Sequence, residues 1–396
     1  MDQVQWHFLL SEAGQRILAE TAETPITEEN HLRAASRLRQ QIDPHLAQAV
    51  IETVWLRQRA VDKFSRADQM YFTREALEQS SSEIISAYRA RRFFSTGFKR
   101  IADLGCGIGG DALALASQAD VTGIEQDWLR LAMAQENVQE YGNRDRFFPL
   151  RSDLTKQQPV PVEAYFFDPA RRDDQGKRLK SVHLYRPPLN LIDAWRQHTA
   201  HAAVKVSPGI DYAEIPPDAQ VEFISVSGSV KECVLWYGDL RCGDGRQATL
   251  LPGEDVLTSE DNPGAVVPPR EPGAYLYEPD GAVIRAHLIQ TLARRLGAAP
   301  IDPSIAYLTA DDGQQTPFAR CFAIEDWFPF HLKRLRQYLR EHHIGRVTIK
   351  KRGSPLEPEA LQNRLRLKGD EERILFLTHV LGEPVVLVGK DADLRN

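Results

Sequence analysis

The sequence is poor in cysteine and lacks long apolar runs, and both absences narrow the class of protein. Its four cysteines are dispersed, with no C-x-x-C pair and no histidine at zinc-ligand spacing, which argues against a disulfide framework or a structural metal site. No window approaches the ~20 consecutive apolar residues of a membrane span. The first residues also lack the basic start and apolar stretch of a secretory signal. We therefore expect reduced thiols, no membrane segment and a cytoplasmic location.

Charge of one sign does not dominate the chain, but charge is unevenly distributed. The net charge of −6 over 396 residues argues mildly against a polyanionic partner. Residues 331–396, however, carry 14 Lys and Arg against 9 Asp and Glu, which leaves −11 for residues 1–330. Residues 333–352 alone hold eight cations and one acid. Such a run is either a solvated surface or a patch that binds a polyanion.

Length and periodicity indicate several domains, two or three at ~150 residues each. Residues 1–95 have apolar positions at helical spacing, which predicts a helical domain. Residues 96–240 alternate short β-like runs with helical stretches, the pattern of a doubly wound parallel sheet, and end in a hairpin that we place on the sheet edge. Residues 241–329 begin with a Gly- and Pro-rich linker and continue as a small α+β unit, and residues 330–396 form a second α+β domain.

A glycine loop, residues 105–110, follows the first strand and opens a helix with the spacing G-x-G-x-x-G. That spacing suits a dinucleotide and also other nucleoside cofactors. Asp103 stands two residues before the loop, where its charge would repel a pyrophosphate at the helix N-terminus. S-adenosylmethionine carries an ammonium and a sulfonium and no phosphate. Asp103 therefore favours the methyl donor over a dinucleotide.

Two more carboxylates follow the next two strands. Glu125 ends the second strand, 22 residues after Asp103, and can accept hydrogen bonds from both hydroxyls of a ribose. Asp153 follows the third strand and is placed to accept from an adenine amine. Each carboxylate alone could be a helix cap or a loop residue. Since ligands of open α/β sheets bind at the carboxyl ends of the strands, the three together predict a cofactor site that includes Gly105, Gly107 and Gly109.

These residues, with Asp168-Pro169-Ala170-Arg171 after the fourth strand, resemble a class I S-adenosylmethionine-dependent methyltransferase over about residues 96–238. Segments 72–80, 109–111 and 136–142 resemble the trimethylguanosine-synthase-like and bacterial THUMP-like methyltransferases, and segments 277–286 and 349–353 resemble the THUMP-like C-terminal region. The resemblance implies a Rossmann-like, doubly wound sheet of seven strands and a helical lid that contains Thr73. It also implies a ferredoxin-like or THUMP-like α+β tail and an RNA substrate, either tRNA or rRNA.

The candidate catalytic residues lie at the ends of the fourth and fifth strands. The resemblance implies that Asp168 and Pro169 contact the target amine and that Asp168 also borders the cofactor. Arg171 stands where the family has an aromatic ring, and it can stack on a base or pair with a neighbouring acid. Arg172 can hold a phosphate. Lys205 is a base if desolvated, or the partner of a carboxylate.

In the tail, Lys350, Lys351 and Arg352 are the candidate contacts to RNA phosphates. We therefore predict a methyltransferase that acts on a base in structured RNA. The alternatives are a non-catalytic protein that binds S-adenosylmethionine and RNA, and a small-molecule methyltransferase. An NAD-dependent oxidoreductase ranks last because of Asp103. The sequence does not predict an oligomeric state.

Overall fold

The computed structural model describes residues 1–171, 176–177, 179, 181–243, 245–259 and 264–394. The chain divides into two compact units, Met1–Ala219 with Val234–Cys242, and Gln220–Cys233 with Gly243–Asn396. Every helix in the described part of the chain is too short or too polar to cross a bilayer. The four-domain division expected from the sequence stays a prediction.

The first unit begins with helices, as the sequence predicts for residues 1–95. The first two begin at side-chain caps, because Asp2 accepts from the backbone of Gln5 and Ser11 accepts from the backbone of Gly14. The fourth helix begins with Pro44, a residue suited to the first turn. The six helices are α1 (Gln3–Leu10), α2 (Glu12–Ala22), α3 (His31–Leu38), α4 (Pro44–Ala60), α5 (Arg74–Gln79) and α6 (Glu83–Ser95).

Five parallel strands in the order β3-β2-β1-β4-β5 follow these helices in the first unit. They are β1 (Arg100–Leu104), β2 (Asp120–Glu125), β3 (Phe147–Arg151), β4 (Ala164–Phe167) and β5 (Ala202–Val206), with helices α7 (Ala112–Leu115), α8 (Trp128–Glu140) and α9 (Leu191–Trp195) between them. Strands β4 and β5 are buried along their whole length, as expected for parallel strands covered on both faces. The predicted doubly wound α/β class is confirmed, and the strand order reverses between β1 and β4, next to the glycine loop.

The hairpin after β5 and the strands that follow it correct two expectations. Strands β6 (Gln220–Val226) and β7 (Ser229–Tyr237) are joined by a two-residue turn whose residues both have positive φ. This hairpin does not lie at an edge, because β8 (Arg246–Leu251) pairs with β6 and β9 (Asp255–Thr258) pairs with β8. Both added strands fall where a linker was expected. The Gly, Pro and acid content up to about residue 273 predicts a linker, whereas in the structure Gly245 and Pro252 flank a strand, β8.

The rest of the second unit forms a seven-stranded sheet in the order β11-β12-β10-β13-β16-β15-β14. Its only parallel pair among the described residues is β14 with β15. The predicted α+β tail is confirmed. Its elements are β10 (Tyr275–Pro279), α10 (Gly281–Arg285), α11 (Ile289–Arg295), β11 (Ala299–Asp302), β12 (Ile305–Ala310), β13 (Ala319–Pro329), α12 (Leu332–Glu341), β14 (Ile344–Lys351), α13 (Pro358–Leu365), β15 (Glu371–Val380) and β16 (Glu383–Asp391).

Helices α12 and α13 cover one face of this sheet. Each contributes two buried leucines to a single apolar cluster that includes the inward side chains of β14, β15 and β16. A second cluster, which includes Phe322 and Phe376, occupies the opposite face. Because both helices bury one side against the sheet, their other sides face outward.

Candidate active site

The glycine loop is held so closely that two of its positions accept no side chain. Gly105 has φ +81°, and a Cβ there would lie 3.2 Å from the carbonyl oxygen of Asp168. Gly109 has φ +84°, and a Cβ there would lie 3.2 Å from the Cα of Ala134 in α8. The positive φ angles and the close approaches both require glycine. The loop is thus fixed between the end of β4 and helix α8.

Asp103, at the carboxyl end of β1, is a buried carboxylate with no hydrogen-bond partner among the described residues. Asp103 is 1% exposed, and neither of its carboxylate oxygens accepts a hydrogen bond from the described residues. Burial raises the pKa of Asp103 well above its usual range, and the negative charges of Asp111 and Asp168 raise it further. Arg89 and Lys205 oppose this shift without cancelling it.

The two cations beside Asp103 are each held by a different carboxylate. Lys205 Nζ lies 2.6 Å from Asp168 Oδ2, and the lysine side chain is 3% exposed. Arg89, also buried, forms an ion pair with Asp111. Three carboxylates therefore share two cations, and the charge left over is that of Asp103. The sequence left two alternatives for Lys205, a desolvated base or the partner of a carboxylate. In the structure Lys205 is paired with Asp168, and a catalytic role of Lys205 stays a prediction.

Glu125 and Asp153 differ in their surroundings. Glu125, at the end of β2, accepts from the backbone of Gly107 at 3.2 Å through Oε2 and of Asp127 at 3.0 Å through Oε1, so it supports the glycine loop. Asp153 accepts from the backbone and the hydroxyl of Thr155 at 3.0 and 2.7 Å. The side-chain and backbone hydrogen bonds from Thr155 lower the pKa of Asp153. Asp153 Oδ2 lies 3.1 Å from Lys156 Nζ, so Asp153 follows the third strand as expected but both of its oxygens have partners within its own loop.

The segment around α5 forms a wall beside the loop. Thr73 begins this helix, and its Oγ1 accepts from the backbone of Ala76 at 3.1 Å. The carbonyl of Gln79 at the other end lies 3.5 Å from Lys205 Nζ. A Cβ on Gly110 would lie 3.4 Å from the Cβ of Ser80. The helical segment that contains Thr73 thus reaches both the glycine loop and the Lys205 ammonium.

Three buried residues that assemble this site received no role from the sequence, although Asp111 and Asn137 lie in segments that carry the family resemblance. Arg89 and Asp111 form the second ion pair. Asn137, fully buried in α8, accepts from the backbone of Tyr71 at 2.7 Å and donates to the carbonyl oxygens of Tyr71 at 3.0 Å and Ile108 at 2.9 Å. It thereby ties the segment before α5 to the glycine loop. Asp111 directly follows the paired glycines, a signal that could have been used, whereas Arg89 has no distinguishing pattern around it.

The remaining predicted residues that the structure describes lie near Asp168 or in the second unit. Arg171 Nη1 donates to the carbonyl of Val206, at the end of β5, at 3.3 Å. Arg172 lies outside the described residues. The three predicted RNA contacts of the tail all have partners within the second unit. Lys350 and Lys351 form ion pairs at 2.5 and 2.6 Å with Glu278 and Glu357, and Arg352 donates to the carbonyl of Ala306 at 2.7 Å.

Comparison with known proteins identifies the family. Residues 98–207 match a family model described as RNA cap guanine-N2 methyltransferase, residues 319–391 match one described as THUMP domain-like, and residues 2–60 match a domain of unknown function. Two Mycobacterium tuberculosis proteins, from strains CDC 1551 and H37Rv, are each described as an uncharacterized S-adenosylmethionine-dependent methyltransferase. Each is 34% identical over 349 residues, which cover 84% of this chain and 92% of the relative. The chain belongs to the S-adenosylmethionine-dependent methyltransferases.

This methyltransferase also shares its fold with a solved structure. A protein of Porphyromonas gingivalis W83, provisionally assigned as a methyltransferase, superposes with a TM-score of 0.74 at 22% identity, covering 93% of this chain and all of that one. The predicted family, enzyme class and cofactor are confirmed. The residues fit that cofactor, because the glycine cradle excludes side chains and Asp103 is a buried carboxylate that lacks a partner in the described chain. A cationic ligand would complete the charge balance of the cluster.

Proposed function

We propose that this methyltransferase modifies a base in structured RNA, either tRNA or rRNA. The match of residues 98–207 to a family described as RNA cap guanine-N2 methyltransferase supports an RNA base, and the THUMP domain-like tail supports a structured RNA. The observation that carries the acceptor chemistry is the carboxylate of Asp168, held by Lys205 at the end of β4 and beside Asp103. We also propose a cytoplasmic location, because the four dispersed cysteines are free thiols in the structure.

In this proposal the cofactor is held along the carboxyl ends of the first three strands. Asp103 faces its cationic groups, Glu125 its ribose hydroxyls and Asp153 its adenine amine. The glycine loop, through Gly105, Gly107 and Gly109, lets the backbone approach it closely. Thr73 caps helix α5 and so positions this helix beside the cofactor. When bound, S-adenosylmethionine supplies a methyl group that the sulfonium has already activated for displacement.

The protein then has to orient the acceptor and exclude water. These two tasks are its main contribution to the rate of such a displacement. Asp168 Oδ2 is occupied by Lys205, whereas Oδ1 accepts no hydrogen bond from the described residues. Oδ1 can accept from the N–H of an exocyclic amine and so direct the nitrogen lone pair toward the methyl group. Lys205 acts in this scheme as a positioning residue. Pro169 and Arg171 border the acceptor, where the Arg171 guanidinium can stack on the base.

Methylation of RNA from cells that lack the gene tests this function. Such RNA is incubated with the purified protein and S-adenosylmethionine labelled with tritium in the methyl group, and its nucleosides are separated and identified by mass spectrometry. We expect label in one modified nucleoside, and no label with the Asp168→Ala variant. Label found only in a small-molecule fraction, or label in RNA that is unchanged by Asp168→Ala, would contradict the proposal.

A further inference from the structure

The cations of residues 319–391 fall into two equal sets. Seven lie on the strands of the sheet or directly after one. Each of these seven has a carboxylate of the second unit within 4.0 Å, and two of the carboxylates, Glu278 and Glu325, each serve two cations. They are Arg320, Arg346, Lys350, Lys351, Arg352, Arg373 and Lys390.

The other seven lie on α12, on α13 or in the segment directly after α13. None of them has a carboxylate within 4.0 Å among the residues that the structure describes. Six are exposed and the seventh is half-buried. We call them the helix-surface cations; they are Lys333, Arg334, Arg336, Arg340, Arg364, Arg366 and Lys368.

The two helices present these cations on one surface. Leu335, Leu339, Leu361 and Leu365 point into the same apolar cluster, so α12 and α13 lie on the same face of the sheet. Arg336 joins the two helices, because its guanidinium donates to the carbonyl oxygen at position 364 through Nε at 2.7 Å and also through Nη2. The outward sides of both helices therefore form a continuous surface.

Acids are scarce on this surface. Residues 332–341 and 358–368 contain two acids, Glu341 and Glu359, against the seven cations, a net charge of +5. A surface that merely faces water ordinarily mixes charges of both signs, as the strands of this sheet do. Five of the seven cations are arginines, whose planar guanidinium forks match the oxygens of a phosphate. Concentrated, unpaired positive charge is the electrostatic pattern of a surface that binds a polyanion.

We propose that the helix-surface cations bind the phosphate backbone of the RNA substrate. This inference rests on the RNA substrate proposed above and assigns RNA contact to α12 and α13 in place of the end of β14. Binding releases the counterions condensed on the RNA, so the affinity depends steeply on salt. The contact is to the backbone and positions the RNA without reading its sequence.

The test compares two triple variants that remove the same charge. The surface variant is K333Q/R340Q/R364Q, and the matched control, R320Q/R346Q/K390Q, removes three paired and exposed cations of the strands. Binding of fluorescein-labelled, unfractionated tRNA is measured by anisotropy as the salt concentration is raised from about 50 to 200 mM. We expect the surface variant to bind at least about tenfold more weakly and to lose about two to three units of the salt slope. We expect the control to match the wild type.

The outcomes separate this inference from the proposed function. Equal losses in both variants would mean that only net charge matters, and would overturn the inference. Unchanged tRNA binding by the surface variant would overturn it too, while methylation of RNA by the wild type would keep the proposed function. Binding of polyglutamate in place of tRNA would identify an acidic protein as the partner and contradict the inference. Unchanged thermal melting and S-adenosylmethionine binding exclude misfolding as the cause of a loss.

Discussion

Asp103 in the first unit and Glu278 in the second are both carboxylates placed among cations, and they have opposite surroundings. Glu278 lies 2.5 Å from Lys350 and 3.8 Å from Arg352. Asp103 is more deeply buried and accepts no hydrogen bond among the described residues, because its neighbouring cations are committed to other carboxylates. A charge that serves the fold is paired, since an unpaired buried charge is costly. The unpaired carboxylate, Asp103, therefore marks the site that binds a cationic ligand.

The substitution Asp103→Asn tests this contrast with the largest expected effect. We expect its S-adenosylmethionine affinity to fall by at least about 100-fold, equivalent to about 2.7 kcal/mol, because the cation loses its counter-charge. At a pH above the raised pKa of Asp103, the free energy of unfolding of the ligand-free protein should increase, because a neutral amide replaces a buried charge that has no partner. Titration calorimetry and urea unfolding measure the two effects.

Glu278→Gln is the matched control for that substitution. It leaves Lys350 and Arg352 without their carboxylate, so we expect a loss of about 1–3 kcal/mol in free energy of unfolding and no change in cofactor affinity. If Asp103→Asn destabilises the protein as Glu278→Gln does, and cofactor binding persists, the two carboxylates have the same structural role and the contrast fails.

Removal of the Lys205 ammonium is expected to affect turnover more than cofactor binding. Lys205→Gln frees Asp168 to move, and misplacement of an acceptor by about 1 Å can cost about 100-fold in rate, so we expect kcat to fall by about 10- to 100-fold. Lys205→Arg, which keeps a cation near Asp168, should recover part of that loss. Steady-state kinetics with the RNA substrate separate kcat from KM for both variants. A purely structural lysine would lower stability in both variants and leave the kcat of the folded enzyme unchanged.

The sequence predicts the parts of this site that local pattern encodes. Asp103 and Glu125 lie at the carboxyl ends of apolar strands and Asp168 directly follows one, so their shared edge of the sheet is predictable. The glycine spacing after Asp103 identifies the loop. Arg89 and Asn137 are not predictable in this way. Asn137 meets Tyr71 across 66 residues of sequence, and Arg89 meets Asp111 across 22, so the contacts that define both residues exist only in the fold.

In the tail, too, the sequence does not predict which contacts a charged residue makes. Its run of cations is visible in the sequence, but the partners are not. Lys350 is neutralised by Glu278, which lies 72 residues away, whereas Lys333 and Arg340 on α12 have no such partner among the described residues. Strands β8 and β9 were missed because flanking glycine and proline suggested a linker. The sequence therefore shows where charged residues and turn-forming glycines and prolines lie along the chain. Only the fold shows which charged residues have an ion-pair partner and which can bind a ligand.

The dependence of cofactor binding on pH is the smallest expected effect and the most direct measure of the unbalanced charge. Burial and two neighbouring carboxylates raise the pKa of Asp103 in the folded protein, and the charged form is the one that attracts a cation. Cofactor affinity should therefore fall as the pH is lowered through that raised pKa. At a pH close to this pKa, binding of the cofactor should release a proton, which calorimetry detects in buffers of different ionisation enthalpy. The unfolded chain has the ordinary pKa, so the folded state binds the proton more tightly. The contribution of Asp103 to the stability of the ligand-free protein should accordingly decrease as pH rises from the ordinary to the raised pKa, and it is measured as the difference between the wild type and Asp103→Asn. The pH dependence of cofactor affinity should be lost in Asp103→Asn, and its stability profile should differ from that of the wild type over this pH range. Identical profiles in both proteins would assign the dependences to another group and leave Asp103 without its proposed role.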